Sequence, residues 1–391
     1  MTVSKRVALS VLMVAFAFGL NITGIMPVLS MVSEKYADAG LSMIQMLQTL
    51  PYLLLMVGSL CVGFLAARMN KKALLLFGLC LIGICGVAPF FLDGFGVLLV
   101  SRILIGFGFG IVSPLNTAVI AEFIEPEKRS GYLGLHVLGM GIGAMVGNLL
   151  GGMFAKAGLR YFYLVYMIPF LSMIIVAAVL PSSKPQAQTA EARERKKIHI
   201  TTMVYILSLM SFLHTLFINA YNTNISIYLT QQVTSDPGAS GIATGVNSAF
   251  ALLVGATFAK ISGALKDKTL PVAVFCAAAG YGALFVLPGM GGVLVCSALC
   301  GVSLSAFMAM SSFLISISVE PDAVAMASSI FSVVGGIGGL LAPVITGALA
   351  GAIGGNTPAH QFAIAGIGMA VLGIFTVAVV ADNRKRAGAA A

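Results

Sequence analysis

Long apolar runs separated by short polar breaks make up most of this chain. At about 20 residues per membrane crossing, 391 residues accommodate about twelve spans. The runs are continuous, whereas a membrane β-barrel needs short strands in which polar and apolar residues alternate. The pattern therefore predicts an all-α integral membrane protein with helices at roughly 7–32, 45–66, 73–92, 97–123, 131–155, 160–180, 201–230, 240–263, 271–288, 292–319, 323–352 and 360–381.

The polar break at 181–200 is much longer than the others and divides the runs into two sets of six. It predicts three parts: an N-terminal six-helix bundle at 1–180, a cytoplasmic linker at 181–200 and a C-terminal six-helix bundle at 201–391. Both sets also carry glycine, leucine and a basic residue in the same register, at positions 63, 65 and 68 and again at 263, 265 and 268. Internal repeats joined by a polar linker are typical of transporters whose halves rock about a central site.

Charged residues are scarce, and the basic ones lie mostly on one side of the predicted membrane. The chain is 59% hydrophobic and 9% charged, with a net charge of +9, whereas soluble proteins carry about 25% charged residues. Most of the 22 lysines and arginines fall in cytoplasmic segments if both termini are inside, which predicts a multi-pass protein of the inner membrane. Anionic lipid explains this charge, so no nucleic-acid partner is expected. The apolar run after Lys5 and Arg6 continues without a cleavage site and is interpreted as the first helix.

The fifth predicted helix contains "GMGIGAMVGNLLGG", a ladder with a glycine at every fourth position. A glycine inside a helix costs about 1 kcal/mol relative to alanine, so four of them on one face indicate a close helix contact. The eighth predicted helix is the expected partner. The ladder consists of Gly139, Gly143, Gly147 and Gly151, with Gly152 beside it, and the eleventh predicted helix has a counterpart at Gly335, Gly339, Pro343, Gly347 and Gly351.

Three motifs together resemble those of the major facilitator superfamily, and more narrowly its twelve-helix drug:proton antiporter branch. The loop motif after the second predicted helix is represented by Gly63, Arg68, Lys71 and Lys72, the helix 4 motif by Arg102, Gly106 and Gly108, and the helix 5 antiporter motif by Gly143, Gly147, Asn148, Gly151 and Gly152. Two positions depart from the family pattern. Ala67 replaces an aspartate of the loop motif, and Asn148 replaces the proline of the antiporter motif.

Ionisable residues at membrane depth are costly, so Arg102 and His214 are candidates for coupling. The resemblance assigns Arg102 to proton coupling or to holding substrate; snorkelling or bonding to carbonyls of the first helix is the alternative. His214 can change its charge near neutral pH, although a neutral histidine bonded to a neighbouring helix is equally compatible with the sequence. Glu122, at the inner end of the fourth predicted helix, either serves in coupling or pairs with a basic loop residue such as Arg68 or Arg129.

Polar and soft side chains at mid-depth are candidates for lining a substrate cavity. Methionine and phenylalanine are abundant and give an adaptable apolar lining, although each of them is as well explained by ordinary packing. The candidate substrate-binding residues are Asn21, Gln48, Asn116, Asn148, Asn219, Tyr221, Asn222, Asn247, Phe307 and Met308.

No catalytic, metal or cofactor site is expected. The six cysteines lie in apolar runs without CxxC spacing, and no cluster of histidine, cysteine and carboxylate has metal-ligand spacing. Glycine-rich runs such as "GFGFG" lie inside predicted helices and are not followed by Gly-Lys-Ser/Thr, which argues against a nucleotide-binding loop.

The sequence favours a monomeric secondary transporter with a small molecule and protons as its partners. The leading hypothesis is proton-coupled export of small hydrophobic or amphipathic compounds by alternating access. The alternative is uptake or exchange of a small organic anion, because Arg102 and two histidines are expected inside the membrane and no acidic residue lies at mid-membrane. A receptor or scaffold would leave the repeat and the hinge-like glycines unexplained.

Overall fold

The computed structural model describes residues 3–22, 24–66, 69–125, 128–182, 200–319 and 324–390, in which all regular elements are helical. The long helices are α1 (Val3–Ile22), α3 (Leu41–Ala66), α4 (Lys71–Phe91), α5 (Phe95–Phe123), α6 (Arg129–Ala155), α9 (Thr202–Gln232), α10 (Pro237–Leu265), α11 (Thr269–Val286), α12 (Gly289–Ser318), α13 (Val324–Ile353) and α14 (Pro358–Ala390). Shorter helices are α2 (Leu29–Lys35), α7 (Leu159–Phe162) and α8 (Ile168–Val179).

Eleven helical segments in the described ranges are long and apolar enough to cross a membrane. The 20-residue helix α1 adds a twelfth, and its side chains Val7, Val11 and Val14 are buried. The predicted fold class is therefore confirmed: the chain is an all-α integral membrane protein with twelve transmembrane helices in two sets of six.

The first predicted helix, 7–32, is wrong at its C-terminal end. Helix α1 stops at Ile22, and a 3-10 turn at Met26–Val28 leads into α2. Pro27 lies inside this turn and has no N–H to donate, so a continuous α-helix would lose a hydrogen bond there. The sixth predicted helix is also divided, because a 3-10 stretch, Tyr163–Met167, separates α7 from α8.

The same pattern of helix contacts occurs in both sets of six. In the first set, α1 packs against α6 and α8, and α4 packs against α5 and α8. In the second set, α9 packs against α13 and α14, and α11 packs against α12 and α14. The same pairs of spans are in contact in each set: the first with the fifth and sixth, and the third with the fourth and sixth. The repeat in the sequence is therefore also a repeat in structure.

The chain forms two compact units. One consists of Met1–Glu194 with Ser235–Gly245, and the other of Arg195–Thr234 with Val246–Ala391. The first turns of α10, which the sequence assigns to the C-terminal bundle, thus pack with the first unit. Residues 183–199 of the predicted linker lie outside the described residues, and the linker stays a prediction.

The glycine ladder of α6 packs against α1. The prediction that the ladder contacts the eighth predicted helix is therefore wrong for Gly139, Gly143 and Gly147. A Cβ atom on Gly139 would lie 2.9 Å from the Cβ of Ala15, and one on Gly147 would lie 2.8 Å from Cγ of Leu20. On Gly143 it would overlap the carbonyl oxygen of Phe16. The missing side chains therefore let two backbones approach closely.

The end of the ladder turns to other neighbours. A Cβ on Gly151 would lie 2.9 Å from the ring of Phe162, whereas one on Gly152 would lie 2.7 Å from the Cα of Gly241 on α10. Successive residues of a helix are about 100° apart, so adjacent glycines face different helices. Among these glycines, Gly152 is the one that makes the predicted contact with the eighth helix.

The counterpart ladder on α13 packs against α9, which corresponds to α1. Gly335 faces Ser211, and a Cβ on Gly339 would lie 2.9 Å from the side-chain nitrogen of Asn219. Two further members, Pro343 and Gly347, are buried in α13, and Gly351 faces open space. Each ladder thus joins the first and fifth spans of its own unit.

Candidate functional site

Arg102 lies on α5 and is 2% exposed. Its Nη1 donates a hydrogen bond to the hydroxyl of Tyr166, 2.6 Å away, and its guanidinium carbon lies 5.2 Å from the centre of that ring. The Nε and Nη2 atoms are buried and have no hydrogen-bond partner in the described part of the chain. A buried cation with two unused donors is suited to an anionic acceptor.

A second phenol, that of Tyr163, is buried near the same guanidinium. Its hydroxyl also has no partner among the described residues, and the tyrosine interacts electrostatically with Arg102. In a 3-10 helix residues three apart are eclipsed, so the stretch Tyr163–Met167 brings Tyr163 and Tyr166 to one side. We call Arg102, Tyr163 and Tyr166 the arginine cluster. Periodicity could not identify the two tyrosines, because a 3-10 stretch inside a long apolar run leaves no pattern in the sequence.

No ion pair of Arg102 occurs among the described side chains. The described pairs join Lys35 with Asp93, Lys71 with Glu122, Lys128 with Glu125, and Lys156 with Asp236. The observed partner of Arg102 is a tyrosine hydroxyl and not the carbonyls of the first helix.

His214 is fully buried in the second unit, on α9. Its Nε2 lies 3.0 Å from Oγ of Ser303, and its ring stacks on Phe307 with 4.0 Å between ring centres. Its Nδ1 has no partner in the described ranges. The structure therefore brings together two of the residues predicted from the sequence, His214 and Phe307, while Met308 is half-buried on α12.

Tyr221 and Asn247 also meet, at Ser297 of α12. The Tyr221 hydroxyl donates to Oγ of Ser297 at 2.8 Å, and Nδ2 of Asn247 donates to its carbonyl oxygen at 3.0 Å. Asn219 and Asn222 instead bond to each other along α9, at 2.9 Å. These four residues form buried or half-buried polar contacts between or along helices of the second unit.

In the first unit, two of the predicted polar residues, Asn116 and Asn148, bond to backbone carbonyls of neighbouring helices. Nδ2 of Asn116 donates to the carbonyl oxygen of Val11 and lies 2.7 Å from Nδ1 of His136. Nδ2 of Asn148 donates to the carbonyl oxygen of Thr244, at 3.3 Å. Gln48 is buried on α3, and the side chain of Asn21 lies outside the described residues.

Glu122 is bound by Lys71, with 2.7 Å between Nζ and the carboxylate. Of the partners expected from the sequence, Arg68 lies outside the described residues, and Nε of Arg129 donates to the carbonyl oxygen of Ile124 instead. The neighbouring loop-motif residue Lys72 bonds to the carbonyl oxygen of Leu180, at the end of α8. Gly63, the first residue of the loop motif, lies within α3, in agreement with the predicted helix 45–66.

In the described ranges, no group of three or more histidine, cysteine, aspartate or glutamate residues could hold a metal ion. The six cysteines are free thiols.

Twelve membrane spans in two repeated sets, with charged and polar groups buried at membrane depth, define a multi-pass membrane transporter of small molecules. Residues 11–289 and 207–391 match the family model of the Major Facilitator Superfamily, and the chain belongs to this family.

Similar proteins include transporters of different kinds. The chain is 28% identical over 226 residues to the 3-(3-hydroxy-phenyl)propionate transporter of Escherichia coli (strain K12), covering 56% of this chain and 54% of that transporter. It is 31% identical over 106 residues to a multidrug resistance protein B homolog of Mycobacterium tuberculosis, covering 27% and 19%. The chain thus matches about half the length of the first relative and about a fifth of the second.

Solved structures share the fold over almost the whole chain. A bacterial homolog of the human lysosomal transporter Spinster, in an inward-facing and unoccupied conformation, has a TM-score of 0.77 at 16% identity and covers 97% of this chain and 96% of its own. The peptide transporter POT in complex with sulfate has a TM-score of 0.77 at 14% identity, covering 96% and 94%. At these identities the likeness shows the fold alone.

Proposed function

We propose that this chain is a monomeric, proton-coupled transporter of small organic anions in the cytoplasmic membrane, with both termini inside. The observation that carries the proposal is the buried guanidinium of Arg102, which has two unused donors and no described counter-ion. Placing a charge at membrane depth costs about 2.5–3.5 kcal/mol, and a carboxylate substrate would offset this cost.

The geometry of Arg102 favours a carboxylate in particular. Nη1 is occupied by Tyr166, which leaves Nε and Nη2 on one edge of the planar guanidinium. These two donors form the fork that binds both oxygens of a carboxylate. The resemblance to a transporter of an aromatic carboxylate supports the same substrate class.

His214 is the proposed proton carrier. His214 is fully buried in the second unit, and its Nδ1 has no partner among the described residues. Histidine changes its charge near physiological pH. Glu122 is held by Lys71 at the end of α5, and we assign it to that ion pair rather than to coupling.

Export of hydrophobic or amphipathic compounds, as in the drug:proton antiporter branch, is the second candidate. The helix 5 glycine motif and the similarity to a multidrug resistance homolog support it. Asn148, at the proline position of that motif, bonds to the carbonyl oxygen of Thr244 and does not supply the kink associated with proline.

Transport by the full chain in proteoliposomes separates the two candidates. We expect an imposed proton gradient to drive saturable movement of labelled 3-phenylpropionate, and Arg102→Gln to lower it roughly tenfold or more. Arg129→Gln is the control, because it removes an arginine at the start of α6 whose Nε is already bonded to the carbonyl oxygen of Ile124. Efflux of lipophilic cationic dyes without carboxylate transport would refute anion selectivity and favour the second candidate.

A further inference from the structure

A cavity of about 150 Å³ lies in the first unit, at the end that the charge pattern places outside the cytoplasm. It is formed where α2, the turn between α4 and α5, α7 and the 3-10 stretch come together. A cavity of about this volume is large enough for a benzene-sized group. We call it the outer pocket; its polar and charged lining includes Lys35, Tyr36, Asp93, Arg160 and Tyr163.

The carboxylate of the outer pocket is already saturated. Asp93 accepts hydrogen bonds from Nζ of Lys35 at 2.6 Å, from the hydroxyl of Tyr36 at 2.7 Å and from the backbone N–H of Gly94 at 2.9 Å. The bond from Lys35 is the main reason that the pKa of Asp93 lies below its ordinary value. Lys35 and Asp93 therefore cancel each other's charge.

Arg160 is the uncompensated cation of the outer pocket. Its Nε donates to the carbonyl oxygen of Phe90, and its guanidinium carbon lies 4.7 Å from the centre of the Phe90 ring. These contacts fix the plane of the guanidinium, and no described residue bonds to its Nη atoms. A fixed guanidinium with free Nη donors is suited to binding a carboxylate or a phosphate.

The inner wall of the outer pocket includes Tyr163. This residue lines the pocket, is only 2% exposed and has a buried hydroxyl without a described partner. Buried polar groups are normally hydrogen-bonded, so the hydroxyl is an unused polar group behind this wall. Tyr163 also belongs to the arginine cluster, so the positive Arg102 lies behind this wall.

We infer that the outer pocket binds a small organic monocarboxylate, with the carboxylate on Arg160 and the apolar part against Pro89, Phe90 and Leu98. This inference rests on the proposed anion selectivity and adds an outer binding site in series with Arg102. Net positive charge selects the anion, and the aromatic and aliphatic walls select a carboxylate with an apolar tail over inorganic anions.

The absence of tryptophan from the sequence makes the outer pocket directly observable. Phe91 lines the pocket and is 70% exposed, so Phe91→Trp places a single reporter there, and Leu92→Trp is a second one if the first variant does not fold. We expect 3-phenylpropionate to change the fluorescence of the full-length protein in nanodiscs saturably. The uncharged 3-phenylpropionamide should bind roughly tenfold or more weakly, because it lacks the charge that Arg160 recognises.

Substitutions in the reporter background identify the binding group. Arg160→Gln should weaken 3-phenylpropionate binding roughly tenfold or more, Arg160→Lys should weaken it less, and Arg129→Gln should leave it unchanged. Equal affinity for the acid and the amide, or unchanged binding in Arg160→Gln, would overturn the inference. Binding in zwitterionic nanodiscs that disappears in anionic ones would assign the outer pocket to a lipid headgroup and would also overturn it.

The two proposals fail in different ways. If carboxylate transport is measured but the reporter sees no binding, the outer pocket is refuted and the proposed function stands. If the reporter detects carboxylate binding but proteoliposomes transport none, the proposed function is refuted. Arg102→Gln should abolish transport and retain binding at the reporter if both hold.

Discussion

Adding one methyl group at Gly143 should force α1 and α6 apart. A Cβ at this position would overlap the carbonyl oxygen of Phe16 and lie 2.9–3.0 Å from its C and Cα atoms, where ordinary contacts are 3.4–4 Å. All three atoms are backbone, so no side-chain rotation can relieve the overlap. The helices must separate along a contact that the neighbouring glycines also form.

The expected loss of stability in Gly143→Ala is obtained by comparison with a matched substitution in the same helix. Gly131 has open space around it, so Gly131→Ala brings only the helix-propensity gain of up to about 1 kcal/mol. Gly143→Ala brings the same gain and an overpacking cost of about 1–3 kcal/mol. The propensity term cancels between the variants, and their stabilities should differ by about 1–3 kcal/mol.

The assay compares apparent melting temperatures of full-length variants in one detergent at a fixed scan rate, because membrane proteins commonly unfold irreversibly. We expect Gly131→Ala to melt at or above the wild type and Gly143→Ala to melt below it. Indistinguishable melting of the two variants would show that α1 and α6 are not in close backbone contact at this position, and would refute the reasoning.

Two further predictions concern titratable groups. His214→Gln should flatten the pH dependence of transport. His360→Gln is the control and should not change it, because His360 bonds to the carbonyl oxygen of the nearby Gly355. An unchanged pH profile in His214→Gln would show that His214 does not carry the proton. Asp236→Asn should lower stability by about 0.2–1 kcal/mol at neutral pH, because the ion pair with Lys156 is largely exposed. The Lys156 bond lowers the pKa of Asp236 from its ordinary 3.8, so this contribution is complete above about pH 4 and is lost as pH falls further. Melting of both proteins at pH 7 and pH 3 tests this, and a difference that grows on acidification would contradict it.

The apolar runs were sufficient to predict the helices and their division into two sets, because spans of about 20 residues leave a strong pattern. The interruption at Pro27 was missed, since one proline does not break an apolar run, and Pro51 and Pro114 lie inside intact helices. The glycine ladder predicted a close helix contact, but spacing along one helix cannot identify the partner, which proved to be α1.

Single buried polar residues were easier to find than their surroundings. Arg102 and His214 stand out in the sequence because charge at membrane depth is rare. Their contacts with Tyr166, Ser303 and Phe307 depend on helix packing, which no local pattern encodes. Arg160 lies at a helix end, where arginine is common, and only its position beside the cavity distinguishes it.

The contact between α1 and α6 also bears on how the protein is made. The first helix leaves the ribosome more than 100 residues before its glycine-lined partner, so it must reside in the bilayer without α6 while α3, α4 and α5 are inserted. The corresponding contact of α9 with α13 sets the same delay in the second half. Each ladder contact therefore forms only after the fifth span of its half has been inserted, and we expect substitutions in either ladder to impair biogenesis before any substrate is transported.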